Sequence, residues 1–313
     1  MNAGQFLKGL IDKVAAPADP ARGAARRARE VIERCHALMS ERGEVSGAAL
    51  AREVLAAYAA LPTNAHTPFL HLLAEEFSPD SASIVRAAAG FSKAQTPQAL
   101  IDLQRAVESP RQELFRRLNV APGATAALVN MRRRLSRELK AAPQLAAVDA
   151  DLAHLFGSWF NRGFLKLERI DWRTPAIVLE KLIQYEAVHE IAGWKDLRRR
   201  LAADRRCFGF FHPALPDEPL IFIEVALTER ISDTVAALLD QDSSIADPAR
   251  ADSAIFYSIT NCQEGLRGIS FGNLLIKQVA EVLSREFPRL KHFATLSPIP
   301  GFRAWLESEA KSD

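Results

Sequence analysis

Three glycines, Gly265, Gly268 and Gly272, crowd a short stretch near the C-terminus, between the β-branched and aromatic run Ala254–Thr260 and a segment from Asn273 to Phe287. A glycine turn that feeds a helix leaves backbone N–H groups without intrahelical partners, and together with the helix dipole they attract phosphate. The residues that would form such a cradle are Arg267, Gly268, Ile269, Ser270, Phe271, Gly272 and Asn273. They lack both the G-x-G-x-x-G register of a dinucleotide site and the trailing Gly-Lys-Ser/Thr of a P-loop. The glycine pattern alone also fits a plain turn. Ser297 is the second residue that could do chemistry. It follows His292–Leu296 and precedes Pro298-Ile299-Pro300-Gly301, a strand-end position where open sheets bind ligands and where turn serines are also common. His66 and His71 lie five apart, which does not suit one helix face, and no carboxylate pair completes a metal site beside them. The three cysteines, Cys35, Cys207 and Cys262, have no metal or C-x-x-C spacing,. Cys262 adjoins the glycine turn and reads as a small buried hydrophobe.

These residues need elements to hold them. Ala254–Thr260 suits a buried strand. Asn273–Phe287 carries Leu275, Val279, Val282 and Leu283 at helical spacing, and His292–Leu296 reads as a second strand, so the stretch predicts a βαβ unit with the glycines in its first turn. Upstream, Cys207–His212 and Leu220–Leu227 read as strands joined by a proline-rich loop. Thr174-Pro175 predicts the start of a helix to about Tyr185, Trp194–Leu201 another, and Ser232 the cap of a third ending near Leu239. The FNRGF segment reads as a turn. From Ala21 to about Arg162 the text is Ala, Leu, Arg and Glu, strong helix formers. Val31, Cys35 and Leu38 recur on one face. Breaks at Pro62-Thr63-Asn64, Ser78-Pro79, Ser109-Pro110, Pro122-Gly123 and Pro143 cut this half into seven or eight helices, with Ser109 as a cap and Pro110 in the first turn. No fixed-period repeat occurs, which favours a bundle over a solenoid.

At 313 residues the chain has room for two domains,. Forty basic against 38 acidic residues give a formal charge of +2, which supplies no field for nonspecific nucleic-acid binding. The local basic runs Arg132–Arg134, Arg198–Arg200 and Arg205-Arg206 read as solvated helix faces, although the last two adjoin the strands and could lie near a nucleotide phosphate. No apolar run is long enough to span a membrane. An N-terminus rich in Ala and Arg, but containing Asp12, Asp19 and Glu30, reads as a first helix, and the odd, scattered cysteines point to a reducing, cytoplasmic setting,.

The segments GLRGISFGNLLIKQV and EFPRLKHFATLSPIPGFRAWL resemble malonyl-CoA decarboxylases, whose catalytic domain is GNAT-like. The resemblance is dense from about Leu152 to Leu306, taking in LFGSWFNRGFLKLERIDWRTPAIVLEKLIQYEAVHEIAGWKDLRRRL and RRCFGFFHPALPDEPLIFIEVALT, and looser before that. Arg267-x-x-Ser270-x-Gly272 also resembles the pyrophosphate loop of GNAT-type acetyltransferases, with Ser270 where glycine is usual. The resemblance implies a helical bundle over residues 1–163 that mediates homo-oligomer formation, and an α+β GNAT-like (acyl-CoA N-acyltransferase) domain over 164–313. It implies conversion of malonyl-CoA to acetyl-CoA and carbon dioxide with no metal or organic cofactor, residues 267–273 holding the coenzyme A pyrophosphate, and Ser297 as the catalytic serine. His189 matches a family position and reads as structural, satisfied by a neighbour. The family's histidine partner to the serine comes from a segment beyond SPIPGF, so a chain ending at Asp313 is expected to be an incomplete catalyst with apolar sheet surface and a strand edge uncovered. Could another histidine substitute? His292 would face away from Ser297 if both lay on one strand, and His212 could approach the active face only if the fold brings it there. Two other readings remain: an N-acyltransferase with Glu224 as general base, and a non-catalytic scaffold that binds coenzyme A.

Overall fold

The computed structural model describes residues 20–270 and 274–309. It separates into two compact units, residues 1–155 and 156–313.

The first unit is helical: α1 (Pro20–Ser40), α2 (Glu44–Ala59), α3 (Thr63–Glu76), α4 (Ser81–Ala94), α5 (Pro97–Val107), α6 (Pro110–Leu118), α7 (Ala124–Glu138) and the start of α8 (Ala146–Trp159). Helix α1 buries Ala24, Ala28, Val31, Ile32, Cys35 and Leu38, a single stripe at three- and four-residue intervals,. That stripe packs on α3 and α2, while α6 and α7 close the remaining sides of the core. Every proline break expected from the sequence falls at a helix boundary, but Ser109 does not cap α6 with its side chain. Its hydroxyl donates instead to Asp151, 2.6 Å away. Asp151 also accepts from Arg111 and Gln112, and Arg111 reaches the Ala74 carbonyl and Ser78. This buried cluster ties α3, α6 and α8 together. The basic run at 132 also departs from expectation, since Arg132 is buried against Asp149 at 2.8 Å rather than solvated. Helices α4 and α5 bury no residue at all and pack chiefly on each other, exposing Val85, Leu100, Ile101 and Val107.

The second unit is α+β. Its sheet runs β1 (Lys166–Ile170), β2 (Arg205–His212), β3 (Leu215–Thr228), β4 (Ser253–Asn261) and β5 (His292–Thr295), in that spatial order. The first four strands are antiparallel and β5 joins β4 in parallel. Strand β1 is not among the expected elements, because its charged, exposed residues hide a short edge strand. Helices α9 (Ala176–Tyr185) and α10 (Trp194–Arg200) cover one face, burying Val178, Leu179, Leu182 and Leu197 against Cys207, Phe222 and Cys262. The cap of α9 is Pro175 rather than Thr174, whose hydroxyl accepts from the Asp171 amide. Ser232 does not cap a helix either; the short α11 (Ala236–Leu239) begins later and Ser232 bonds the Thr234 carbonyl. The parallel crossover is α12 (Leu274–Glu286), with Leu275, Val279 and Leu283 buried. Its far end is held by Arg206, which pairs with Glu286 at 2.7 Å and lies over the Phe287 ring. Beyond β5, α13 (Phe302–Glu309) is exposed along its whole length.

Candidate functional site

Strands β4 and β5 point the same way, so the chain leaving each strand emerges at one end of the sheet. From β4 comes the turn 262–270, and from β5 comes Ser297. The two strands do not end level. Pairing stops at Phe256 with Thr295, and one further bond runs from the Leu296 amide to the Phe256 carbonyl at 2.9 Å. Strand β4 then continues to Asn261 with β3 as its one strand neighbour among the described residues, five residues further, or about 16 Å at strand spacing. The result is a fork, open on one side of β4, which is where a parallel sheet accepts a ligand.

The turn itself is well tied. The Cys262 amide donates to the Leu220 carbonyl, and Gln263 donates to Glu218, which also receives Tyr185 and pairs with Lys181 at 2.7 Å. Gly265 and Leu266 are buried beneath it. Amides of Leu266, Arg267 and Ile269 bond carbonyls three residues back. Gly268 has φ of +81°, a left-handed conformation that glycine tolerates and a side chain does not,. Arg267, Gly268 and Ser270 are exposed and Ile269 is half-buried. Phe271, Gly272 and Asn273, the rest of the expected cradle, lie outside the described residues. Ser297 is exposed in the segment after β5. The topology thus brings the turn and Ser297 to the same end of the sheet, although 27 positions separate Ser270 from Ser297 in the sequence.

Other candidates fall elsewhere. Glu224 is buried in the middle of β3, where Arg200 donates to its Oε2 at 2.9 Å. Burial, opposed by Arg200 and reinforced by Glu186 and Asp196, pushes its carboxyl up to about 7. A base sealed under two helices cannot meet an amine substrate, so Glu224 is not the exposed general base of an acyltransferase. Four of the five arginines in the two later runs are committed to carboxylates, whereas Arg198 is exposed and lies over the Trp172 ring. Arg199 and Arg205 pair with Asp204, Arg200 with Asp196 and Glu224, and Arg206 with Glu286, all four being buried. His212 ends β2 at the same end of the sheet as the turn, but it is wedged against Phe160 and Phe164, accepts from the Ala214 amide, and is held below the usual imidazole range by burial. His292 is exposed on β5. His189 is not satisfied as expected, since its Nε2 is buried with no partner among the described residues. Burial drives the Cys262 thiol well up, which makes it inert,. Among the described residues no three metal-ligating side chains converge, and no helix is long and apolar enough to cross a membrane.

What sequence reasoning missed is the polar underside of the fork. Glu186, the residue after α9, accepts from Ser258 and Thr260 of β4 and from the Val188 and His189 amides. Two hydroxyls on one face of an otherwise apolar strand were the available signal.

A helical domain followed by an antiparallel sheet that ends in a parallel strand–turn–helix–strand unit defines a two-part protein with a glycine turn at a sheet fork. Comparison with known proteins assigns it more narrowly. Residues 77–160 match the malonyl-CoA decarboxylase N-terminal domain and residues 163–313 the malonyl-CoA decarboxylase C-terminal domain. The crystal structure of malonyl-CoA decarboxylase from Rhodopseudomonas palustris superposes with a TM-score of 0.84 at 54% identity, covering 91% of this chain and 69% of that one. The enzyme from Agrobacterium vitis gives 0.84 at 53%, covering 89% and 68%. The mitochondrial malonyl-CoA decarboxylase of Anser anser anser is 37% identical over 251 residues, which are 76% of this chain and 50% of that protein. The chain belongs to the malonyl-CoA decarboxylase family. It spans about half the length of the curated relatives it matches.

Proposed function

We propose that this chain acts on malonyl-CoA, releasing carbon dioxide and leaving acetyl-CoA. The observation that carries the reading is the shared end of β4 and β5, where a glycine turn and Ser297 emerge on either side of one fork in a member of this family. The coenzyme A pyrophosphate would lie along residues 267–273, receiving backbone N–H groups at the start of α12. The acyl arm would enter the fork toward Ser297. In the reaction the bond between the methylene carbon and the carboxylate breaks and carbon dioxide leaves. The electron pair moves into the thioester, giving an enolate oxygen, and protonation of the carbon completes acetyl-CoA. The thioester is its own electron sink, so the chemistry calls for neither metal nor organic cofactor. Ser297 would donate to the thioester oxygen, a bond that strengthens as charge develops there.

The same reading takes the second unit as GNAT-like, supported by the antiparallel strands that end in a parallel pair, and divides the chain at 163/164, supported by family matches that end at 160 and resume at 163. It makes the helical half the site of homo-oligomer formation, supported by the unburied apolar side chains of α4 and α5. It assigns the protein to the cytoplasm, supported by Cys35, Cys207 and Cys262, all buried and unpaired.

The test is carbon dioxide release from malonyl-CoA by wild type and Ser297→Ala, beside a calorimetric titration with coenzyme A. Release in wild type that falls by two orders of magnitude or more in the variant supports the decarboxylase. Coenzyme A binding without release supports a coenzyme A-binding scaffold, and release that the variant leaves intact removes Ser297 from the chemistry.

A further inference from the structure

We propose that Glu186 is a positioning residue that sets the height of the free end of β4, and through it the glycine turn. Past Phe256, β4 has lost β5 on one side and keeps only its pairing with β3, through Ser258, Ile259, Thr260 and Asn261. A strand held by a single neighbour can hinge about that ladder, and this one runs directly into residues 262–270. Glu186 is bonded at both ends of the gap. On its own side, Oε1 accepts from the Val188 and His189 amides at 2.8 and 2.7 Å, which fixes the carboxylate against the turn after α9. On the β4 side, both oxygens accept from the Ser258 hydroxyl at 2.9 and 2.8 Å, and Oε2 accepts from Thr260 at 3.1 Å. Bonds to a carboxylate are about twice as strong as neutral ones. Both anchored residues lie beyond the last residue of β4 that pairs with β5.

Stability alone does not explain this arrangement. Arg200, the cation beneath this part of the sheet, is spent on Asp196 and Glu224, so Glu186 is a buried acid held by hydroxyls and amides, with a second acid, Glu224, on the strand beside Ser258. Apolar side chains of similar volume would cover the same sheet face at no desolvation cost. What they would not supply is directional attachment at two successive inward-facing positions of one strand. The inference rests on the reading that residues 267–273 hold coenzyme A only for its consequence on binding, not for the mechanical role itself.

The test therefore uses two readouts on the full chain. The double variant Ser258→Ala/Thr260→Val removes the strand side of the attachment while leaving Glu186 its two amides and the sheet its volume. Glu186→Gln is the conservative control, since its amide can accept from the turn and donate to both hydroxyls. Hydrogen exchange at the Leu266, Arg267 and Ile269 amides is expected to quicken about tenfold in the double variant, with amides of β2 unchanged and Glu186→Gln close to wild type. The dissociation constant for coenzyme A should rise by about the same factor. Unchanged exchange in the turn, or acceleration spread evenly over the sheet, would overturn the proposal. Wild type that fails to bind coenzyme A would overturn the functional reading instead, with the exchange result still deciding the role of Glu186.

Discussion

Replacing Glu224 with glutamine should change how stability depends on pH, with a sign that follows from the burial of the carboxyl group. The carboxyl group is 1% exposed, paired at one oxygen with Arg200 and, among the described residues, unpartnered at the other. Asp196, Glu186, Cys207 and Tyr257 are the remaining titratable groups around it. Burial is the main cause that lifts the group from an ordinary 4.5 to about 7, with Arg200 opposing and the two acids adding. A carboxyl whose folded value is raised keeps a proton that the unfolded chain has already released. Stability therefore falls as pH rises from about 4.5 through about 7 and stays reduced above that, by at most about 3 kcal/mol. His66 and His212 act in the opposite sense, because burial lowers both, so each adds stability as pH rises toward the ordinary imidazole value. Glu224→Gln leaves the histidines untouched, and its carbonyl can still accept from Arg200. Urea midpoints for wild type and variant at pH 5, 6 and 7.5 isolate the carboxyl by difference. The variant should gain relative to wild type with each step upward. Parallel pH profiles for the two proteins would refute the assignment of a raised carboxyl at this site.

Asp151→Asn should cost about 3–5 kcal/mol, read as a lower midpoint in urea, because it leaves Arg111, 2% exposed, without its counter-charge,. Asp242→Asn serves as its control: the pair with Lys195 is 85% and 72% exposed, and its loss should stay within about 0.5 kcal/mol,. Leu100→Glu with Ile101→Lys, on a hairpin that buries nothing in its own unit, should leave the melting temperature unchanged. If α4 and α5 join copies of the chain, the same variant should lower the mass measured by light scattering.

Local pattern made most of the second unit legible. The run Ala254–Thr260 is buried and aromatic, and it is β4; Leu275, Val279 and Leu283 repeat every four residues, and they are the buried side of α12. Both features are properties of a residue and its near neighbours. The errors share the opposite property. Arg132 and Arg206 look solvated because their acids lie far along the chain, at Asp149 and Glu286, and Arg200 meets Glu224 as well as its local acid Asp196. Ser109 has every local mark of a cap, yet Asp151, 42 positions away, claims its hydroxyl. The edge strand β1 is recognisable only by its ladder to β2. At the candidate site the strand order of the βαβ unit was readable, whereas the unequal ends of β4 and β5 were not, because register is set by pairing rather than by composition.

That unequal ending has a physical consequence for where polar residues occur. Beneath α9 and α10, β2 and β3 contribute Cys207 and Phe222, packed on leucines of the helices, and apolar packing is sufficient there because both strands have a ladder partner on each side. On the same face and at the same levels, Glu224 lies between Cys207 and Ser258, and Phe222 lies between Gly209 and Thr260, so the two hydroxyls belong to β4 alone. There β4 has lost one ladder, and area-dependent burial cannot replace it, since apolar contact resists separation but not sliding or twisting. Hydrogen bonds of fixed length and direction resist both. Glu186 meets both hydroxyls of β4 past its last pairing with β5, which is consistent with a demand for position, and the turn that β4 feeds is the element that would use it.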